Sequence, residues 1–184
     1  DAVRLLAPIL KAAQEYGGSE FACVLGQEMA GYATGELFFA AQTLGFRHSH
    51  LDTGAYSYDQ KNADISIDQA VNYLIADEPG RAFLTSMVGC LFARSVYDEE
   101  QLAECLHAVG YDALAGSIRE SGERIRAMRW RVRAKTGFDP DNFAIPKRFY
   151  QVKTWKGPVN SQYLDGLKKE YGRRIKQLID TDGQ

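Results

Sequence analysis

Apolar residues recur at spacings of three and four in one segment after another, and almost nowhere with period two. That rhythm belongs to helices that turn one face inward. Val3, Leu6, Ile9 and Leu10 make such a face over residues 2–16, closed by Gly17 and Gly18. ELFFAAQTL (36–44) is helical in composition and Gly45 follows it. Ala70, Val71, Leu74 and Ile75 repeat the pattern over 67–76, and Pro79 and Gly80 then punctuate the chain, which predicts a helix end. RAFLTSMVGCLFA (81–93) is apolar on most sides, as in a buried helix. Asp98 stands before EEQLAECLHAV as an N-cap ahead of an acidic first turn. Residues 112–136 hold no proline and precede Gly137, so they form the longest expected helix. Tyr163, Leu167, Tyr171, Ile175 and Leu178 mark a last helical face over 160–179.

Strand signals are weak, confined to FACVL (21–25) and RHSHLD (47–52). Three prolines between Gly137 and Pro158 predict a long irregular connection. The expected fold is therefore an all-α helical bundle, with residues 1–184 forming one domain. The absence of βαβ alternation excludes a doubly wound nucleotide-binding sheet.

Charge narrows the partners. Lys and Arg number 22 against 24 Asp and Glu, a net charge of -2. Such balance argues against nucleic acid or an anionic membrane as the main partner. No uncharged run approaches the ~18 residues of a transmembrane helix. The chain begins at Asp1, with neither a basic start nor a small-residue cleavage site, and reads as processed, trimmed, or a fragment of something longer. Cys23, Cys90 and Cys105 are too scattered for a zinc motif or a disulfide scaffold, which favours a reducing, cytoplasmic compartment. Cys23 and Cys105 are expected as small buried side chains, Cys105 inside its helix pair.

Three constellations could carry chemistry. In RHSHLD an extended backbone would bring His48, His50 and Asp52 to one face. Such a set can bind a divalent metal or move a proton beside a carbonyl. The bland alternative is a hydrogen-bonded loop, and His107, the third histidine, reads as a partly exposed structural residue. In VGCLF (88–92), Gly89 permits a close approach and Cys90 offers a thiolate. One thiolate cannot hold an iron–sulfur cluster that needs four, so Cys90 is either a buried structural residue or one ligand among several from elsewhere. Arg124, Arg126, Arg129, Arg131, Arg133 and Lys135 run round one helix and read as a solvated surface, with a docking surface for acidic groups as the alternative.

Taken together, several stretches resemble the tungsten-containing aldehyde ferredoxin oxidoreductase family. EMAGYATGELFFAAQTLGFRHSHLDTGAY (28–56) is similar to a family segment in which a helix leads to a loop that carries a histidine and ends in Ala-Tyr. Glu28, Tyr32, Arg47, one of the two histidines, Ala55 and Tyr56 hold the matching places. TSMVGCLFA (85–93) resembles the family's second pterin and cluster motif, an Asp-x-x-x-x-Cys. Residues 97–149 resemble its helix pair, its Gly-Glu-Arg-Ile helix and its Pro-x-Arg-Phe close.

The resemblance implies an all-α C-terminal region of a longer oxidoreductase. There tungsten or molybdenum sits between two pterins beside a four-iron (4Fe-4S) cluster, aldehydes become carboxylic acids, and electrons leave to ferredoxin. An N-terminal part of the same enzyme would supply the other cluster cysteines; a homo-oligomer is compatible with this. Cys90 would be a cluster ligand, and Thr85, Gly89, Cys90 and Leu91 would face a pterin. His50 or His48 would take the place of the active-site histidine, because RHSHLDTGAY is one residue longer than the common loop. Thr85 stands where the family motif has Asp, replacing a charged acceptor by a hydroxyl. A second reading follows from that departure: a helical partner- or ligand-binding domain of the same ancestry that has lost the cofactor. A small metal-dependent hydrolase built on H-x-H-x-D ranks last.

Overall fold

The computed structural model describes residues 23–25 and 27–180. The helix expected over 2–16 lies outside them. Helices α1 (Glu36–Leu44), α2 (Ala55–Lys61), α3 (Ile67–Ser86), α4 (Glu99–Ala108), α5 (Asp112–Ala115), α6 (Ile118–Lys135) and α7 (Ser161–Asp180) make the fold all-α. Strands are confined to two small antiparallel hairpins, β1 (Cys23–Val24) with β2 (Gln27–Glu28), and β3 (Lys153–Thr154) with β4 (Gly157–Pro158). No helix among the described residues is long and apolar enough to cross a membrane.

All nine residues of α1 are buried, so it is the central helix, and its N-terminus cannot rely on water. Gly35 has no capping side chain. The buried Asp59 of α2 takes that role instead, accepting from Phe38 N at 2.8 Å while Lys156 Nζ donates to its other oxygen at 3.0 Å. Burial raises the Asp59 pKa, with the Phe38 N–H and Lys156 opposing. A Cβ on Gly35 would lie 2.7 Å from that carboxylate, so glycine is what admits the cap.

Helix α3 opens with a reciprocal Ser66–Gln69 capping box and, against the sequence expectation, runs straight through Pro79. An interior proline costs about 3 kcal/mol. The partner helix explains why the turn persists. Gly122 of α6 lies against the Pro79 backbone, where a Cβ would come within 2.7 Å of its carbonyl oxygen. One residue earlier, Glu78 accepts from Arg126 Nε and Trp130 Nε1, both at 2.8 Å. The arginine run of α6 is thus no uniformly solvated surface: Arg126 is buried, Arg129 covers the Phe46 ring at 4.1 Å, and Arg133 reaches His48.

The buried helix expected over 81–93 stops at Ser86, and only a 3-10 turn, Leu91–Ala93, follows. Val88 N donates to Thr85 O and Gly89 N to Leu84 O, the paired bonds that close a helix through a left-handed residue. That residue is Val88, at φ 61. Helix α4 starts at the expected Asp98 cap, which accepts from Gln101 N. The long helix expected over 112–136 is divided at Gly116 and Ser117 into α5 and α6. The segment 137–158 holds two 3-10 turns, Pro140–Asn142 and Lys147–Tyr150, and the second hairpin.

Helices α1, α3, α6 and α7 enclose the main core, with Phe38, Phe39, Leu74, Trp130, Leu167 and Tyr171 sealed from solvent. Phe39 stacks on Phe149 at 4.4 Å, fastening the irregular segment to α1. A smaller cluster of Phe83, Leu106, Ala115 and Ile118 joins α4 and α5 to the ends of α3 and α6. Cys105 is exposed, outside the stripe of Leu102, Ala103 and Leu106 that α4 turns inward, and Cys23 is only half-buried. Neither is the buried thiol that its residue type predicts.

Candidate functional site

The loop between α1 and α2 holds both candidate histidines, and one carboxylate shapes it. Asp52 accepts from Arg47 N at 2.8 Å and Ser49 N at 3.1 Å, and pairs with Arg47 Nε at 2.8 Å. An aspartate that satisfies nearby backbone N–H groups curls the chain locally. The backbone bonds His48 N to Gly45 O and Asp52 N to Ser49 O complete the turn. The segment 47–52 is therefore a curled turn and not a strand. Among the described residues no group of three or more His, Cys, Asp or Glu is placed to hold a metal ion.

The two histidines have opposite environments. His48 is buried, at φ 53, against the paired rings of Phe138 and Phe143. Its Nδ1 lies 2.8 Å from Thr43 O and its Nε2 2.7 Å from Arg133 Nη2. A carbonyl can only accept and a guanidinium can only donate, so the neutral tautomer with a proton on Nδ1 fits both. Burial lowers the His48 pKa and Arg133 lowers it further, against the Thr43 carbonyl and Asp52. His50 is half-buried, and its ring meets Tyr32 edge to face at 5.3 Å. Neither ring nitrogen of His50 has a hydrogen-bond partner among the described residues.

His50 lies between two cavities. One, of about 400 Å³, is shared with Gln27, Met29, Gln42 and His48, and the Gln42 Oε1 beside it is buried without a partner. The other, of about 320 Å³, is lined by Tyr32, Tyr56, Arg81, Phe92 and Arg94. The far end of the loop is pinned to α3. Gly54 N donates to Asp77 Oδ2 at 2.6 Å, Arg81 Nη1 donates to Leu51 O at 3.3 Å, and Arg81 pairs with Asp77. A side chain at Gly54 would collide with the Tyr73 hydroxyl, so the close seating of loop on helix depends on glycine here.

The 85–91 segment leads into one wall of the second cavity. Phe92, which lines the cavity with His50, comes two residues after Cys90, whose side chain is exposed. Thr85 Oγ1 is buried with no hydrogen-bond partner, an orphaned group of the kind that a bound molecule satisfies. Gly89 is already committed: its N–H caps α3, and a Cβ there would strike the Leu84 side chain. Leu91 is buried, and its carbonyl accepts from Arg94 Nη1 at 2.8 Å. By their chemistry, the Cys90 thiol and the Thr85 hydroxyl are groups that could hold an external ligand. His107 is exposed and pairs with Asp112 at 2.6 Å.

Sequence reasoning missed Arg81, Phe92, Arg94 and Arg133 as parts of this region. No local signal marks them, because Arg81 comes from α3, Phe92 and Arg94 from the 3-10 turn after it, and Arg133 from α6.

No curated protein and no solved structure matches the chain. The family model for aldehyde ferredoxin oxidoreductase, domains 2 & 3, matches residues 7–177. That span takes in α1 through most of α7, both histidines and the 85–91 segment. A pterin-held metal belongs to the complete enzymes of this lineage. The chain belongs to the aldehyde ferredoxin oxidoreductase family, in the region of its domains 2 & 3.

Proposed function

We propose that this chain is the helical C-terminal part of a tungsten or molybdenum bis-pterin oxidoreductase. It converts an aldehyde and water to a carboxylate, releasing two electrons and three protons. When bound, a pterin-held metal and a four-iron cluster would supply the two-electron redox chemistry, with ferredoxin as the acceptor. One observation carries the reading: His50, with no hydrogen-bond partner among the described residues, lines one cavity with Phe92, two residues from the exposed Cys90 thiol.

The chain's own residues divide the remaining work. Cys90 supplies one of the four thiolates that a four-iron cluster needs, and the N-terminal part supplies the rest. Thr85 Oγ1 offers its unused hydrogen bond to a pterin. His50 exchanges a proton at the substrate oxygen, since an imidazole nitrogen can both accept and donate a proton and neither of its nitrogens has a partner among the described residues. His48 acts as a positioning residue: with both nitrogens occupied by Thr43 and Arg133, it fixes the loop that presents His50.

Metal analysis of the natively purified complete enzyme tests this. Tungsten or molybdenum is expected together with about four irons per chain. Cys90→Ser should lower the iron content. His50→Ala should leave iron and metal in place while kcat falls roughly 10²–10⁴-fold, and His48→Ala should cost much less. A wild-type enzyme free of both metals and of iron would instead establish the cofactor-free helical domain.

A further inference from the structure

The cavity beside His50 has a composition that electron transfer alone does not require. Tyr32 and Tyr56 meet edge to face with centroids 5.2 Å apart, and His50 meets Tyr32 edge to face at 5.3 Å. Phe92 lines the same cavity from its 3-10 turn and is 74% exposed, a large apolar ring kept out of both cores. These rings form walls on which a flat ligand can stack or pack edge-on, the arrangements that aromatic quadrupoles favour.

The same cavity holds two guanidinium groups of unequal standing. Arg81 is buried and its charge is balanced by Asp77. Arg94 is exposed, spends only Nη1 on Leu91 O, and pairs with no carboxylate among the described residues. An arginine presents a rigid fork of donors that matches a carboxylate. One uncompensated guanidinium at the rim of an aromatic-walled space of about 320 Å³ specifies a ligand with a ring at one end and an anion at the other.

We infer that this cavity binds a planar aromatic carboxylate, its ring among Tyr32, Tyr56 and Phe92 and its carboxylate on Arg94. The substrate class, an aryl aldehyde whose oxidation yields that acid, rests on the function proposed above; the binding of the acid does not. Phe92 and Arg94 are then specificity-determining residues, outside the electron path and the proton step.

Calorimetric titration of the complete enzyme with benzoate, cyclohexanecarboxylate and acetate tests the inference. Benzoate should bind several-fold more tightly than cyclohexanecarboxylate, and acetate weakest. Arg94→Gln should weaken benzoate roughly 10-fold or more, the scale of a lost charge-assisted hydrogen bond. Phe92→Ala should weaken it roughly 3–10-fold, the scale of an aromatic pair, and should narrow the margin over cyclohexanecarboxylate. Both side chains are exposed, so circular dichroism should show both variants folded. Benzoate that fails to bind, or that binds Arg94→Gln as tightly as wild type, overturns the inference. The two readings fail separately. Oxidation of aliphatic aldehydes without benzoate binding would keep the enzyme and remove the aromatic site. Benzoate binding by a protein without metal would keep the site and remove the enzyme.

Discussion

Arg133, near the end of α6, donates to Nε2 of His48 across 2.7 Å and so ties the α1–α2 loop to the far side of the bundle. The bond requires an uncharged imidazole, because His48 already gives its Nδ1 proton to Thr43 O. The backbone at His48 is left-handed, a conformation that a residue other than glycine keeps only when its surroundings over-determine it. Thr43, Arg133 and the rings of Phe138 and Phe143 provide that constraint.

The lowered pKa of His48 makes its contribution to stability depend on pH. The folded state holds the proton more weakly than the unfolded chain, whose histidines titrate at about 6.5. The stabilisation is therefore complete above that value and is lost as pH falls through the lowered folded pKa. His48→Asn keeps a residue that tolerates positive φ while removing the ring. At pH 8 this variant should be about 1–3 kcal/mol less stable than wild type, the scale of an unsatisfied buried partner. The gap should close progressively below pH ~6. Urea denaturation of both proteins from pH 5 to 8 measures it; a gap independent of pH would show that His48 is not held neutral.

Glu78 and Arg126 form an ion pair whose two side chains are both nearly inaccessible. Burial raises the Glu78 pKa, and Arg126 and Trp130 counter that by bonding to the charged carboxylate. Removing one partner leaves the other charge in the core. Arg126→Met should therefore cost about 3–5 kcal/mol, whereas the double variant Glu78→Leu, Arg126→Met should recover much of that loss. Chemical denaturation of the three proteins gives the comparison, and a single variant within ~0.5 kcal/mol of wild type would mean that water reaches the pair.

Val88 occupies the left-handed position that ends α3, at φ 61, with its side chain 93% exposed. A β-branched residue there carries steric strain on the order of 1–2 kcal/mol without any burial to offset it. Val88→Gly should stabilise the fold by roughly 1 kcal/mol. Val88→Ala should gain much less, because its Cβ retains the clash. A Val88→Gly protein less stable than Val88→Ala in guanidinium melts would contradict the assignment of strain.

Local sequence determined much of the secondary structure. The apolar stripe of 36–44, the Asp98 cap and the face running from Tyr163 through Ile175 each appear as helices where periodicity and capping place them. Those signals lie within a few residues and need no distant partner. The family was legible for the same reason, since its motifs are short and ordered along the chain. Residues from separate turns of the fold decided the rest. Pro79 continues a helix because Gly122 lets α6 lie against its backbone. RHSHLD curls because Asp52 finds the N–H groups of Arg47 and Ser49, and the curl buries His48 while leaving His50 half-exposed. Arg126 and Arg133 leave the solvated face because Glu78 and His48 offer them buried acceptors. The cavity gathers Tyr32, His50, Tyr56, Arg81, Phe92 and Arg94 from separate parts of the chain. Hydrophobic periodicity says which side of a helix turns inward. Which polar group meets which across the core depends on how the helices cross, and that is set only when the whole bundle packs.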